Sequence, residues 1–237
     1  MPPLLRHRPG APHPAAPDCH SCALQGFCPA DGGCPVERRY RLAKGDHLFH
    51  MDDAVRPCIY LVRSGCLKLY QLNQDGVQRI IDFPGPGRWL GADDIGAPRR
   101  HACALALNAC EVDAVPYGRL MAMLERQPRS AELFGHMLSR DIARQQRLLA
   151  ILRSSPAERR VAHFLLDRAG PAPAAGRAEA PAILPMSRQD IGDYLGLTPS
   201  TVSRVLSAFR QRGWVALRLR GFLLLARDSI AQLANLT

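Results

Sequence analysis

Between about residues 40 and 117 the apolar positions come in short runs, not in long periodic stretches. CIYLVRSGCLKLYQL holds two such runs broken at Ser64-Gly65. LYQLNQDGVQRIIDF sets apolar runs on either side of Asp75-Gly76, a dipeptide suited to a hairpin turn. GPGRWLG reads as a further turn, and HACALALNACEVDAVPY alternates small and apolar residues up to Pro116. Several short strands at close spacing predict an all-β roll or barrel. Near residue 130 the period changes. SAELFGHMLSRDIARQQRLLAILR contains no proline, and Leu138, Ile142, Gln145, Leu149 and Leu152 recur at spacings of 4, 3, 4 and 3. That narrow heptad seam predicts a helix pairing with a second copy of itself, with Arg140, Arg144 and Arg147 on the other side. A helix packed on its own domain is the alternative. Gln145 within the seam costs stability and sets register or keeps the pairing marginal.

SSPAERRVAHFLLDRAG predicts a second helix, with Ser155 as N-cap, Pro156 in the first turn and Gly170 at the end. PAPAAGRAEAP is a linker by composition. The pattern beyond it is the most specific in the chain. Ser187 and Asp190 are spaced as a capping box, Ile191, Tyr194 and Leu195 point inward, and Gly196 suits a left-handed end. Thr198 then caps a second helix with Pro199 at its first position. This helix runs to about Arg212 and buries Val202, Val205, Leu206 and Phe209, with Gly213 closing it. Two capped helices joined by a tight glycine turn form a helix-turn-helix. WVALRLRGFLLLA adds two strands around Arg220-Gly221, a wing that places Arg218 and Arg220 near a phosphate backbone.

Charge and cysteine content change this picture in two ways. The chain carries a formal net charge of +10, which points to an anionic partner. Residues 187–237 hold seven Arg and three Asp, so the last module is itself +4. Its second helix exposes Ser200, Thr201, Ser203, Arg204 and Arg210, with Thr198 at the cap. Arg204 can reach guanine O6 and N7 in a major groove, and the short hydroxyls can meet phosphate or a base edge. No apolar run approaches the roughly 18 residues needed to span a bilayer, and no membrane partner is expected. MPPLLRHRPG has basic residues without an apolar stretch behind them, so a cytoplasmic location is expected. In such a reducing compartment the eight cysteines are metal ligands, redox centres or packed thiols.

Four cysteines lie near the front: Cys19, Cys22, Cys28 and Cys34. DCHSCALQGFC supplies three thiols packed close in sequence, the supply an iron–sulfur cluster needs, with a fourth ligand from elsewhere. Zinc, with His13 or His20, and no metal at all are the alternatives. Cys58, Cys66 and Cys103 read as core residues.

From Cys19 to the C-terminus the chain resembles the FNR branch of the CRP/FNR superfamily of bacterial transcription regulators. The resemblance rests on Cys19, Cys22 and Cys28 in C-x2-C-x5-C, on LVRSGCLKLY and on FPGPGRWLGADDIG. The long helix, SPAERRVAHFL and RQDIGDYLGLTPSTVSRVLSAF complete it. It implies an α+β chain with a cyclic-nucleotide-binding-like β-roll, a dimerisation helix and a winged helix-turn-helix. The corresponding segments are 1–35 for the cysteine tail, 36–128 for the roll, 129–153 for the helix and 154–237 for the DNA-binding domain. It also implies a [4Fe-4S] cluster that supports the dimer and is degraded by oxygen, a palindromic duplex site, and RNA polymerase as a protein partner.

The chain departs from that pattern twice. The family's fourth cluster cysteine lies three residues before a Pro on a late strand; counting back from Pro116 gives Asp113, with Cys110 three residues earlier. Cys110 is preferred on ligand softness; Asp113 through oxygen and Cys34 are the alternatives. Ser200 also stands where the family usually has Glu, so the half-site is expected to differ. WLGADDIGAPRRHACAL lacks the Gly-Glu and Arg-Ser or Arg-Thr arrangement of a cyclic-nucleotide pocket, so no cyclic nucleotide is expected. His47 and His50 leave haem open. No acid/base constellation or phosphate-binding glycine loop is present, and the chain is not expected to be an enzyme.

Overall fold

The structure is a computed structural model and describes residues 34–174, 177–219 and 221–234. It divides between Ser139 and Arg140 into two units, each with its own core.

The first unit is a roll of two four-stranded antiparallel sheets. One has the order β1(Arg38–Leu42), β8(Cys110–Pro116), β3(Cys58–Ser64), β6(Trp89–Leu90). The other has the order β2(His47–Phe49), β7(Cys103–Ala106), β4(Leu67–Leu72), β5(Gln78–Asp82). Strand alternation divides the side chains between two faces. Tyr60 and Val62 of β3 and Cys110, Val112 and Ala114 of β8 enter the inner core with Leu48, Phe49 and Leu67. Ile59, Leu61 and Val115 enter an outer cluster with Val36, Trp89, Leu120 and Met123. The β4–β5 hairpin turns at the expected place. Asn73 Oδ1 accepts from the Asp75 and Val77 N–H groups at 3.1 and 2.8 Å, and Gly76 takes φ +75°. Ser64-Gly65 lets the chain cross from one sheet to the other. Gly65 has φ +84°, and a Cβ there would lie 2.4 Å from the Ala109 carbonyl oxygen.

The roll ends in α1(Tyr117–Arg126), which the strand pattern did not suggest. Leu120, Met123 and Leu124 give it an apolar face against the outer cluster, but ten residues after a proline make a weak periodic signal. α2(Pro128–Ser154) follows as one 27-residue helix, and its first turns add Leu133, Phe134 and Met137 to the same cluster.

His47 donates to or accepts from Tyr70 at 3.0 Å and stacks on His50 with ring centroids 4.1 Å apart. Burial, then His50 and Lys68, hold the His47 pKa below its ordinary 6.5, against the opposing pull of Asp46 and Asp53. The folded roll therefore binds fewer protons here than the unfolded chain as pH falls through about 6.5. The roll is expected to lose stability from pH 7 towards pH 5.5, and His47→Gln is expected to flatten that slope in urea melts at both pH values.

In the second unit α3(Ala157–Ala169) starts one residue later than expected. Pro156 is its N-cap, and the Ser155 hydroxyl is buried without a hydrogen-bond partner, so Ser155 is not the cap. Gly170, at φ +73°, ends the helix. The helices α4(Arg188–Leu195) and α5(Pro199–Gln211) lead to β10(Val215–Arg218), β11(Gly221–Leu224) and α6(Arg227–Ala234). A two-residue strand, β9(Ala182–Ile183), joins the wing at the β11 edge, making three strands where two were expected. Gly221 permits this, because a Cβ there would lie 2.3 Å from the Ala182 carbonyl oxygen.

Candidate nucleic-acid interface and cysteine sites

The interface is built by caps. The Asp190 N–H donates to Ser187 Oγ at 3.0 Å and the Ser187 N–H donates to Asp190 Oδ2 at 3.1 Å, a full capping box. Gly196, at φ +63° and ψ +41°, ends α4 in the left-handed region. Gly192 lets the turn fold back, because a Cβ there would lie 2.5 Å from the Leu197 carbonyl oxygen. Thr198 Oγ1 accepts from the Thr201 N–H at 3.2 Å and lies 2.9 Å from both the Ser200 and Thr201 hydroxyls. Arg160 of α3 fixes the angle of the turn from behind, donating to the Ser155 carbonyl at 2.8 Å and the Leu195 carbonyl at 3.0 Å. Sequence reasoning missed Arg160, since nothing local marks an arginine that will bond carbonyls 35 residues away.

Val202, Val205, Leu206 and Phe209 are buried on α5, as the pattern required. The opposite face presents Ser200, Ser203, Arg204 and Arg210 to solvent, with Thr201 half-buried. Arg218 is exposed on the wing, and Arg220 lies outside the described residues. Hydroxyls at a helix N-terminus followed by an exposed arginine suit a phosphate backbone and then a guanine edge.

The cysteines are arranged differently. Cys19, Cys22 and Cys28 lie outside the described residues. Cys110, the preferred fourth ligand, is 3% exposed inside the roll. Its thiol donates to the Asn108 and Cys66 carbonyls at 3.3 and 3.4 Å, and burial pushes its pKa up. Asp113 projects to the other face of β8 and is fully buried. Arg39 Nε donates to it at 2.7 Å and Arg63 Nη1 at 3.2 Å. The register causes this, since Arg39 on β1 and Leu61 on β3 flank Asp113 and place Arg63 two residues on, on the same face. Of the two roll positions expected as fourth ligands, the Cys110 thiol thus lies in the core and the Asp113 carboxylate is paired with two cations. Cys66 and Cys103 are buried, and Cys58 and Cys34 are half-buried. Among the described residues no group of three or more His, Cys, Asp or Glu is placed to hold a metal ion.

In the stretch that lacks the cyclic-nucleotide arrangement, the charged side chains pair with one another. Arg100 Nη1 donates to Asp94 Oδ2 at 2.8 Å, both side chains are buried, and the guanidinium lies 4.5 Å from the Phe49 ring centroid. His101 adds a short hydrogen bond to the same carboxylate, 2.5 Å from Nδ1 to Oδ1. The Arg100 and His101 hydrogen bonds hold Asp94 below the usual carboxylate range although burial opposes them. Among the described residues no helix is long and apolar enough to cross a membrane.

A β-roll followed by a long helix and a capped, basic winged helix-turn-helix defines a DNA-binding transcription regulator. Residues 159–233 match the Crp-like helix-turn-helix domain, and residues 39–127 match the cyclic nucleotide-binding domain. The chain is 31% identical to the transcriptional regulatory protein btr of Bordetella pertussis, over 93% of this chain and 94% of that one. It is 31% identical to the fumarate and nitrate reduction regulatory protein of Escherichia coli, over 85% of this chain and 80% of that one. The solved structure of FixK2 from Bradyrhizobium japonicum superposes with a TM-score of 0.70 at 28% identity, covering 84% of this chain and 98% of that one. The chain belongs to the CRP/FNR family of transcription regulators.

Arg204→Ala is expected to weaken binding to a duplex selected from random sequence by about 1–3 kcal/mol and to relax specificity at one base pair. Gel shifts on the selected duplex and its single-base variants read both effects; an unchanged affinity removes the contact.

Proposed function

We propose that this regulator acts as a homodimer that reads oxygen or redox state through a [4Fe-4S] cluster on its N-terminal thiols and binds a palindromic duplex in the occupied state. RNA polymerase is the protein partner in this reading, and a cytoplasmic location goes with it. The observation that carries the sensing part is the spacing of Cys19, Cys22 and Cys28, three thiols within ten residues. The similarity to the E. coli fumarate and nitrate reduction regulatory protein supports the same direction. Cys19, Cys22 and Cys28 would hold the cluster, which supplies a redox-active, oxygen-labile centre when bound.

The chain's own residues do the rest. Ile142 and Leu149 on α2 are 56% and 61% exposed in the single chain, and Leu138 and Leu152 are half-buried beside them. Paired with a second copy, this stripe leaves water, and Gln145 in the seam keeps the pairing weak enough to be switched. Two copies of α5 then enter successive major grooves about one helical turn apart.

The test is anaerobic purification with iron and sulfide assays, a visible spectrum, sedimentation and gel shift, repeated after air. About four iron per chain, lost in air together with the dimer and the shift, is the expected result. A colourless chain holding zinc or nothing, with binding insensitive to air, overturns the sensing part and leaves the DNA-binding regulator standing.

A further inference from the structure

From Arg140 on, α2 belongs to the second unit, and there it has two distinct faces. Ile142 and Leu149 are exposed on one. Arg144, Leu148 and Ile151, spaced by 4 and 3, share another; Ile151 is buried, and Arg144 and Leu148 are half-buried. Arg144 and Leu148 line a small cavity whose other walls are His163, Phe164 and Asp167 of α3 and Tyr194 and Leu195 of α4. The same face of α3 carries Arg160, one turn before His163 and Phe164, and Arg160 donates to the Leu195 carbonyl at 3.0 Å. Phe164 meets Tyr194 edge to face with ring centroids 5.9 Å apart. One face of α3 thus holds the first helix of the helix-turn-helix and also receives the inner face of α2.

His163 stands half-buried at this junction. The charges that face it are unequal. α2 brings the Arg144 and Arg147 guanidinium groups, α3 brings Asp167 one turn on, and α4 brings the phenol of Tyr194. Asp167 is shared, because Arg168 donates to it at 2.9 Å. Burial holds the His163 pKa below its ordinary 6.5; Asp167 pulls it up, and Arg147 and Arg144 push it down again. The junction therefore suits a neutral imidazole. An imidazolium there is a third cation beside two arginines, with much of its hydration removed.

We propose that His163 is a positioning residue for DNA binding, and that its protonation releases the duplex by pushing the Arg144–Leu148 face of α2 away from α3 and α4. Two copies of α5 reach successive major grooves only at a set separation, about 34 Å. In a pair joined through α2, the seat of α2 on α3 and α4 sets that separation. A shift of the seat leaves the apolar stripe paired and misplaces both recognition helices. The bound form holds the neutral ring and the released form regains an ordinary imidazole, so protons and duplex compete. Affinity is full above about pH 6.5 and falls as pH drops below it. The inference rests on the homodimer reading above and is independent of what the N-terminal thiols hold.

The experiment measures the affinity of the anaerobically purified full chain for its selected duplex from about pH 7.5 to about pH 5.5 at fixed ionic strength. His163→Gln, which stays polar and carries no charge, is measured beside the wild type. Sedimentation reads the dimer, and calorimetry reads the transition of the second unit; His163→Asn stands in if the glutamine chain lacks that transition. The wild type is expected to lose about tenfold or more in affinity while remaining a dimer, since one pKa unit in each copy is worth about tenfold. His163→Gln is expected to lose about twofold at most, the share left to the other histidines. A wild-type affinity that does not fall overturns the inference without any variant. An equal fall in the folded variant overturns it, as does a fall that follows dissociation of the dimer. A chain that binds the duplex as a monomer at about pH 7.5 overturns the homodimer reading together with the inference.

Discussion

Replacing Ile142 and Leu149 together with alanine is expected to dissociate the dimer without melting α2. Alanine is the best helix former, so the 27-residue helix survives. What is lost is the apolar surface that a second copy would cover. Ile142 and Leu149 keep 56% and 61% of their surface exposed in the single chain, so more than half of each remains to be buried on pairing. Full burial of such a side chain is worth about 1.5–3 kcal/mol, which makes the remaining part about 1–1.5 kcal/mol each. Two copies contribute four such side chains, about 4–6 kcal/mol in all. The dissociation constant is therefore expected to rise about a thousandfold or more, read by sedimentation equilibrium. Operator affinity falls with it, because each half-site alone holds one recognition helix. An unchanged constant places the stripe outside the interface. Gln145→Ile moves the constant the other way, since it removes the one polar group from the seam.

Asp113→Ala is expected to cost the roll about 3 kcal/mol. The carboxylate is fully buried and takes hydrogen bonds from Arg39 and Arg63, whose side chains are 20% and 18% exposed. Removing it takes from both guanidinium groups the buried carboxylate that they share. Breaking a buried pair from one side costs about 3–5 kcal/mol, and the partial exposure of both arginines brings the figure to the lower end. Calorimetry of the full chain reads the effect as a lowered roll transition, with the transition of the second unit unchanged as the internal control. Asp113→Ala combined with Arg39→Met is expected to recover part of the loss, because the double change also removes one of the two cations that shared the carboxylate. A roll transition that does not move would show that the two arginines find water instead.

The α2 stripe and Asp113 differ in how far they could be read along the chain. The stripe on α2 was legible because a helix repeats every few residues and writes its face into the spacing. The caps at Ser187 and Thr198, the left-handed Gly196 and the buried face of α5 were legible for the same reason, each being decided within about four residues. α1 and α6 escaped because eight to ten residues hold too few turns for a periodic signal, and β9 because two residues hold none. Asp113 was read from its distance to Pro116 as a ligand position. Its partners sit 74 and 50 residues away, and no local pattern names them.

The sequence by itself determined the class of the protein: a strand-rich domain, a long helix with one apolar stripe, and a capped, basic winged helix-turn-helix. These follow from local propensity, capping and periodicity, which act over a few residues. The tertiary structure decided where each thiol and charge lies. Strand register turned Cys110 into the core and Asp113 towards two arginines, and the fold paired the buried Arg100 with Asp94 and set Cys34 against the cluster that holds the first turns of α2. A one-residue change of register exchanges the faces of a strand, so which side chains meet is settled only when distant strands pair.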